Sequence, residues 1–195
     1  MCAKYYVAGI SFDSKNALQH HGIIGQKWGV KNGPPYPIKG YQSVDHMLKA
    51  MGSFKYKEFD RLMSADEVGR TKTGSCHDQV MYEMQQLRRL GKNPKGLFVM
   101  EYGGDQGGMT HSIAYYEEDG KVHWVEPPTT WPAHSGDTPY PSLDSIKNTF
   151  IKEHDAGNFG NKNSYQNIIF GEFNDSDHKI GEDLQEFVDI CLKNA

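Results

Sequence analysis

Three side chains that are far apart in the sequence carry the groups needed for acyl transfer: the thiol of Cys76, the imidazole of His111 and the carboxylate of Glu126. In such enzymes the thiol attacks a carbonyl carbon, the imidazole takes the thiol proton, and the carboxylate orients the imidazole. The three residue types alone prove nothing, since isolated Cys and His residues are common in protein cores. The elements that hold them decide whether they can meet.

Cys76 follows a turn of small residues in the stretch TGSCHDQV and precedes a helical pattern that Gly91 ends. Ser75 suits the N-cap, and Asp78 completes a capping box, so Cys76 is predicted to be the first helical residue. Apolar side chains then recur on one helical face: Cys76, Val80, Met84 and Leu87. A thiol at a helix N-terminus has a lowered pKa, which favours the reactive thiolate. The alternative is a buried structural cysteine.

His111 and Glu126 lie on two predicted strands, THSIAYYE and KVHWVEP, joined by the two-residue turn Asp119-Gly120. This turn pairs Glu118 with Lys121 and sets the register of the whole hairpin. His111 and Glu126 then become diagonal neighbours on one face of the ladder. That face also carries the apolar residues Ile113, Tyr115, Val122 and Trp124. A His and a carboxylate on a buried face must bond to each other, either for catalysis or as a structural pair.

The remaining patterns predict an α+β domain in which the nucleophile helix packs on an antiparallel sheet. Helices are predicted for SVDHMLKAMG, FKYKEFDRLMSADEVG, SLDSIKNTFIKEH and GEDLQEFVDICLKNA, and further strands for GLFVMEY and YQNIIFGEF. Cys191 lies on the apolar face of the last helix and is predicted to belong to the core.

Composition argues against several classes of function. The chain has 195 residues, a formal net charge of -4 and scattered basic residues, so neither nucleic acid nor an anionic membrane is an expected partner. It has no apolar run of membrane-spanning length and no signal-peptide pattern at its start, which favours the cytoplasm. The three cysteines form no C-x-x-C pair and the histidines form no H-E-x-x-H motif. We therefore expect no disulfide, no metal and no cofactor.

The order GSCHDQV, THSIAYY and VEPP resembles the Cys, His, Asp/Glu pattern of the transglutaminase-like cysteine peptidases, a branch of the papain-like superfamily. The resemblance covers residues 41–195 and implies a catalytic domain with Cys76 as nucleophile, His111 as base and Glu126 as orienting acid. Many members carry Asp at the third place, so Glu126 is a departure that the family tolerates. The implied function is a cysteine peptidase or amide hydrolase acting on protein or peptide.

Two alternatives to a hydrolase remain open. One is a transglutaminase that crosslinks Gln and Lys side chains. The other is a non-catalytic domain that keeps the fold, either as a structural part of a virion or as an inhibitor of a host defence system.

Residues 1–40 are expected to be an appendage that ends in the Gly/Pro-rich linker KNGPPYPIKG. Within it, HGIIGQKWGV resembles a module found near an end of various phage head and tail-associated proteins. The resemblance implies a phage or prophage product, located in the host cytoplasm or in the virion, with a head, tail or host protein as partner. The alternative for the module is a flexible tag without its own chemistry.

An oxyanion hole needs two hydrogen-bond donors. The backbone N–H of Cys76 at the helix start is the first expected donor. For the second, the upstream candidates are Gln42 and Gln26, and the sequence does not choose between them.

Overall fold

The structure is a computed structural model that describes the backbone of residues 4–7 and 10–13, and residues 40–58, 61–102, 109–159 and 167–193. The chain divides into two units, Met1–Gly40 and Tyr41–Ala195. In the first unit, strands β1 (Lys4–Val7) and β2 (Ile10–Asp13) form an antiparallel pair. The HGIIGQKWGV module, with Gln26, and most of the predicted linker lie outside the described residues.

Three helices open the second unit: α1 (Val44–Met51), α2 (Ala65–Thr71) and α3 (Cys76–Arg89). Each begins after a serine whose hydroxyl accepts a hydrogen bond from the backbone N–H three residues later, which satisfies one of the free donors of the first turn. These N-caps are Ser43, Ser64 and Ser75. The capping box predicted for α3 is confirmed, because the Asp78 carboxylate also accepts from the Ser75 backbone N–H at 3.0 Å.

Five antiparallel strands form the central sheet in the order β8-β7-β6-β5-β9. They are β5 (Lys95–Tyr102), β6 (Thr110–Glu118), β7 (Lys121–Glu126), β8 (Gly136–Tyr140) and β9 (Asn167–Phe173). The predicted hairpin register is confirmed: Glu118 pairs with Lys121. Asp119 and Gly120 both have positive φ, at 51° and 73°, as a type I′ turn requires.

Both faces of this sheet are buried, which makes the unit an α+β domain as predicted. One face packs with Phe98, Ala114 and Tyr116 against the first three helices and α5 (Leu184–Lys193). The other face packs with Leu97, Ile113 and Trp124 against α4 (Leu143–Ala156). Cys191 on α5 is fully buried, so its prediction as a core residue is confirmed.

Two segments differ in secondary structure from the sequence-based prediction. The segment FKYKEFDRLMSADEVG is not one helical stretch, because β3 (Lys55–Tyr56) pairs in parallel with β4 (Thr73–Gly74) and only the Ser64-capped end is helical. The edge strand β8 was not predicted. It contains Pro139, which cannot donate to a ladder and is tolerated only at a sheet edge.

Candidate active site

Cys76 is held at the start of α3 by contacts on both sides of the helix terminus. The two Asp78 oxygens accept hydrogen bonds from the backbone N–H of Met63 at 2.8 Å and from the Ser75 hydroxyl at 2.8 Å. Asp78 is itself 1% exposed, so both bonds are buried. The Cys76 side chain is 3% exposed and lines a cleft of about 370 Å³.

The predicted contact between His111 and Glu126 is present, with His111 Nε2 3.1 Å from Glu126 Oε2. Glu126 is fully buried, and Trp124 Nε1 donates to the same carboxylate oxygen at 3.1 Å. The Thr130 hydroxyl donates to the other oxygen, Oε1. Because Nε2 of His111 is used by Glu126, Nδ1 is the ring nitrogen left for the thiol.

His111 lies at the end of β6 where the hairpin opens. Pairing between β6 and β7 ends at Ala114 and Val125, so His111 stands three residues beyond the last pair. Its ring contacts Trp131 edge-on, with ring centroids 5.7 Å apart. This aromatic contact covers one side of the imidazole, and Cys76 at the start of α3 interacts with the same ring.

The electrostatics of Cys76 and His111 indicate an ion pair. Burial alone would raise the pKa of the Cys76 thiol, but charge interactions and hydrogen bonds with His77 and His111 lower it well below the ordinary value. Burial alone would lower the pKa of His111, but Glu126 and Cys76 raise it to about 10. By contrast, burial and the nearby Asp177 raise the pKa of Cys191 to about 12. Of these two buried thiols, Cys76 is the one predisposed to ionise.

The cleft above Cys76 has mixed chemistry. Tyr56 and Met109 line it and are large side chains exposed to solvent, at 47% and 42%. The Tyr56 hydroxyl donates to Glu58 at 3.2 Å. Burial, followed by interactions with Cys76 and Glu58, raises the pKa of Tyr56, so the phenol stays protonated while its proton bonds to Glu58.

His77, the residue after Cys76, also lines the cleft and is 2% exposed. Its Nδ1 lies 2.6 Å from the Ser112 hydroxyl and its Nε2 lies 3.3 Å from the Thr110 hydroxyl, both on β6. His77 was not predicted as a site residue from the sequence. The available signal was its position beside a candidate nucleophile at a helix start.

The loop after β7 closes over α3. The Thr129 hydroxyl donates to Gln79 Oε1 at 2.9 Å, and Gln79 Nε2 donates to the Gly74 carbonyl at 2.9 Å. Two turns into the helix, Glu83 is fully buried, and neither of its carboxylate oxygens has a hydrogen-bond partner. Burial, with the nearby charge of Glu126, raises the pKa of Glu83 well above its ordinary value.

The structure therefore brings Cys76, His111 and Glu126 together, but it does not bring Gln42 to them. Gln42 is exposed and lines a different surface cavity, together with Tyr116 and Lys92. Gln26 lies outside the described residues. Tyr56 is one of the side-chain donors that line the cleft of Cys76, together with Ser75, His77 and Thr110.

No protein-family model and no curated protein matches the chain at a significant level. Across the parts of the chain that the structure describes, no group of three or more His, Cys, Asp or Glu side chains is arranged to hold a metal ion. Within the same residues, none of the helices is both long enough and apolar enough to span a membrane.

Proposed function

We propose that the unit Tyr41–Ala195 is a thiol-dependent acyl-transfer enzyme of the transglutaminase-like, papain-like type, acting as a cysteine peptidase or amide hydrolase on protein or peptide. One observation carries the proposal: a buried His111–Glu126 pair adjoins a cleft-lining cysteine at a helix N-terminus. Burying these polar groups costs free energy, and a catalytic role would explain why they are kept in a buried position.

The reaction begins from the Cys76 thiolate and the protonated imidazole of His111. The sulfur attacks the carbonyl carbon of an amide, and the electron pair of the C=O bond moves to the oxygen. When this intermediate collapses, the C–N bond breaks and His111 gives its proton to the leaving amine, which leaves a thioester on Cys76. Water, or a second amine, then attacks the thioester while His111 takes its proton, and the Cys76 thiolate leaves.

The negative oxygen of the intermediate needs donors within about 3 Å. The backbone N–H of Cys76 belongs to the first turn of α3, where the N–H groups lack helical partners. Tyr56 is the second donor in this proposal, because it lines the cleft beside the thiol and its raised pKa keeps it protonated. Its one hydroxyl proton, which bonds to the exposed Glu58 in the free protein, would turn to the oxyanion. Gln26 stays a candidate from the sequence only.

The resemblance of HGIIGQKWGV to phage modules adds a biological setting to this proposal. In that setting the enzyme is a phage or prophage product of the host cytoplasm or the virion, and a head, tail or host protein is its substrate or partner.

Alkylation by iodoacetamide tests the nucleophile directly. In the full chain at pH 7 we expect Cys76 to react on the order of 10²-fold faster than Cys191, which serves as a buried control in the same molecule. Peptide mapping by mass spectrometry measures both rates. His111→Ala should slow the reaction of Cys76 strongly and Glu126→Gln less so. Equal rates for the two cysteines would contradict the proposal and favour a non-catalytic binding domain.

A second assay separates hydrolysis from crosslinking. A mixed casein digest is incubated with the protein and a biotin-labelled primary amine, with Cys76→Ala as the matched control. New peptide termini that need Cys76 indicate a hydrolase, whereas biotin on Gln residues indicates a transglutaminase. If Cys76 reacts fast with iodoacetamide but neither product forms, the nucleophile is established and the substrate lies outside this digest.

A further inference from the structure

His77 is a buried imidazole that the mechanism above does not use. It is the second residue of α3, 2% exposed, and lines the same cleft as Cys76. Burying a histidine has a cost that calls for a compensating role. Its surroundings indicate what that role is.

Two hydroxyls hold the His77 ring, one at each nitrogen. Ser112 lies 2.6 Å from Nδ1 and Thr110 lies 3.3 Å from Nε2. A hydroxyl can donate or accept, so both ring nitrogens keep their hydrogen bonds whether the ring is neutral or protonated. Phe98 stacks on the ring at a centroid distance of 5.8 Å, and Phe187 meets it edge-on at 5.5 Å. The ring is therefore fixed in orientation by polar contacts at both nitrogens and by two aromatic rings.

The other titratable groups near His77 have hydrogen-bond partners of their own. Asp78 follows in sequence, but its carboxylate is used by Met63 and Ser75. His178, on the turn before α5, bonds through Nε2 to the Met63 carbonyl at 2.9 Å, and its pKa is lowered, chiefly by burial. Glu58 and Tyr56 line the cleft, and there they bond to each other.

We propose that His77 is a second imidazole which, together with His111, holds the Cys76 sulfur in its anionic form. The inference rests on the proposed function and assigns different roles to the two histidines. His111, paired with Glu126, exchanges protons with the substrate. His77, whose ring nitrogens lie beside the Ser112 and Thr110 hydroxyls and which also interacts with the thiol, stabilises the sulfur both before attack and when the thiolate leaves the thioester.

The test is the pH dependence of Cys76 alkylation by iodoacetamide, an uncharged probe, from pH 5 to 9. His77→Gln keeps hydrogen-bonding groups beside the two hydroxyls but removes the titratable ring. We expect its midpoint to rise by about one pH unit, with a rate about tenfold lower at pH 6. In the double variant His77→Gln/His111→Ala the pH midpoint of alkylation should rise further than in either single variant, because two different imidazoles are removed.

His123→Gln is the matched control. His123 is partly buried and bonded to Asp137 at 2.8 Å, and it lines a different cavity, so its profile should equal that of the wild type. A folded His77→Gln protein with the wild-type midpoint would overturn the inference while leaving the proposed function intact. A wild-type midpoint at or above the free-thiol value of about 8.5 would overturn both.

Thermal unfolding shows whether His77→Gln is folded. If it is not, Ser112→Ala carries the test, since it keeps the ring and removes only the 2.6 Å partner of Nδ1. A raised midpoint in Ser112→Ala supports the role of His77, and an unchanged one contradicts it.

Discussion

At the scale of single residues, Glu83 is a group on the nucleophile helix whose burial costs folding free energy. Its side chain is fully buried on α3, and neither carboxylate oxygen has a hydrogen-bond partner. Burial and the charge of Glu126 raise its pKa well above the ordinary value, which favours the neutral acid in the folded protein. The unfolded chain, in water, loses that proton near pH 4.3.

Replacing Glu83 by methionine should therefore stabilise the protein, and the gain should depend on pH. The folded pKa lies above the unfolded one, so the wild type loses stability as the pH rises from about 4.3 towards the folded pKa. We expect Glu83→Met to raise the free energy of unfolding by about 1–3 kcal/mol at pH 7 and by less at pH 4. Urea unfolding at the two pH values measures the difference. Glu186→Met, at an exposed position of α5, is the control and should change little.

Some residues of the candidate site could be predicted from the sequence and others could not, depending on whether local or long-range contacts position them. Cys76, His111 and Glu126 could be predicted because short-range signals fix them, namely the serine cap and the Asp119-Gly120 turn. His77 and Tyr56 could not, because their places in the cleft depend on contacts between distant segments. Tyr56 reaches the cleft through the pairing of β3 with β4, and His77 is fixed by hydroxyls on β6.

At the scale of elements, the start of α3 decides where the thiol lies. The Asp78 carboxylate joins this start to the chain before α2, through Met63, and to the cap residue Ser75. Asp78→Ala would leave buried N–H donors without acceptors. We expect a loss of about 2–3 kcal/mol in the free energy of unfolding, the range for hydrogen bonds to a buried charge, and slower alkylation of Cys76.

Urea unfolding and alkylation of the same preparation check this prediction for Asp78. Asp45→Ala is the matched control, because Asp45 also lies in the first turn of a helix but is exposed. Equal losses of stability in the two variants would show that the tie to Met63 contributes nothing beyond an ordinary helix terminus.

Elements were predictable where one local pattern sufficed. The bounds of α3 and of the β6–β7 hairpin follow from a cap, an apolar period and a two-residue turn. Strands β3 and β8 have no apolar alternation, and what defines them is their pairing with β4 and β7. Long-range pairing of this kind cannot be inferred from the composition of the segment itself.

At the scale of the whole molecule, the described residues of the buried clusters on both sheet faces lie between positions 44 and 191, within the unit Tyr41–Ala195. The same unit holds the nucleophile helix, the His111–Glu126 pair and every described residue of the cleft. A core on each side of a five-stranded sheet is enough to support cooperative folding of a domain of this size.

We therefore expect residues 41–195 produced alone to unfold in one cooperative transition and to alkylate Cys76 with the same pH midpoint as the full chain. The comparison also decides between the candidates for the second oxyanion donor, because Gln26 is missing from the shortened protein and Tyr56 is present. If Tyr56 is the donor, Cys76-dependent cleavage of the casein digest is retained on truncation and falls on the order of 10²-fold in Tyr56→Phe, the effect typical of losing one such donor. The opposite result would be a shortened protein that folds and alkylates normally but no longer cleaves the digest, together with a full-length Tyr56→Phe variant that still cleaves it. That result would reject Tyr56 and assign the second donor to residues 1–40, where Gln26 is the candidate.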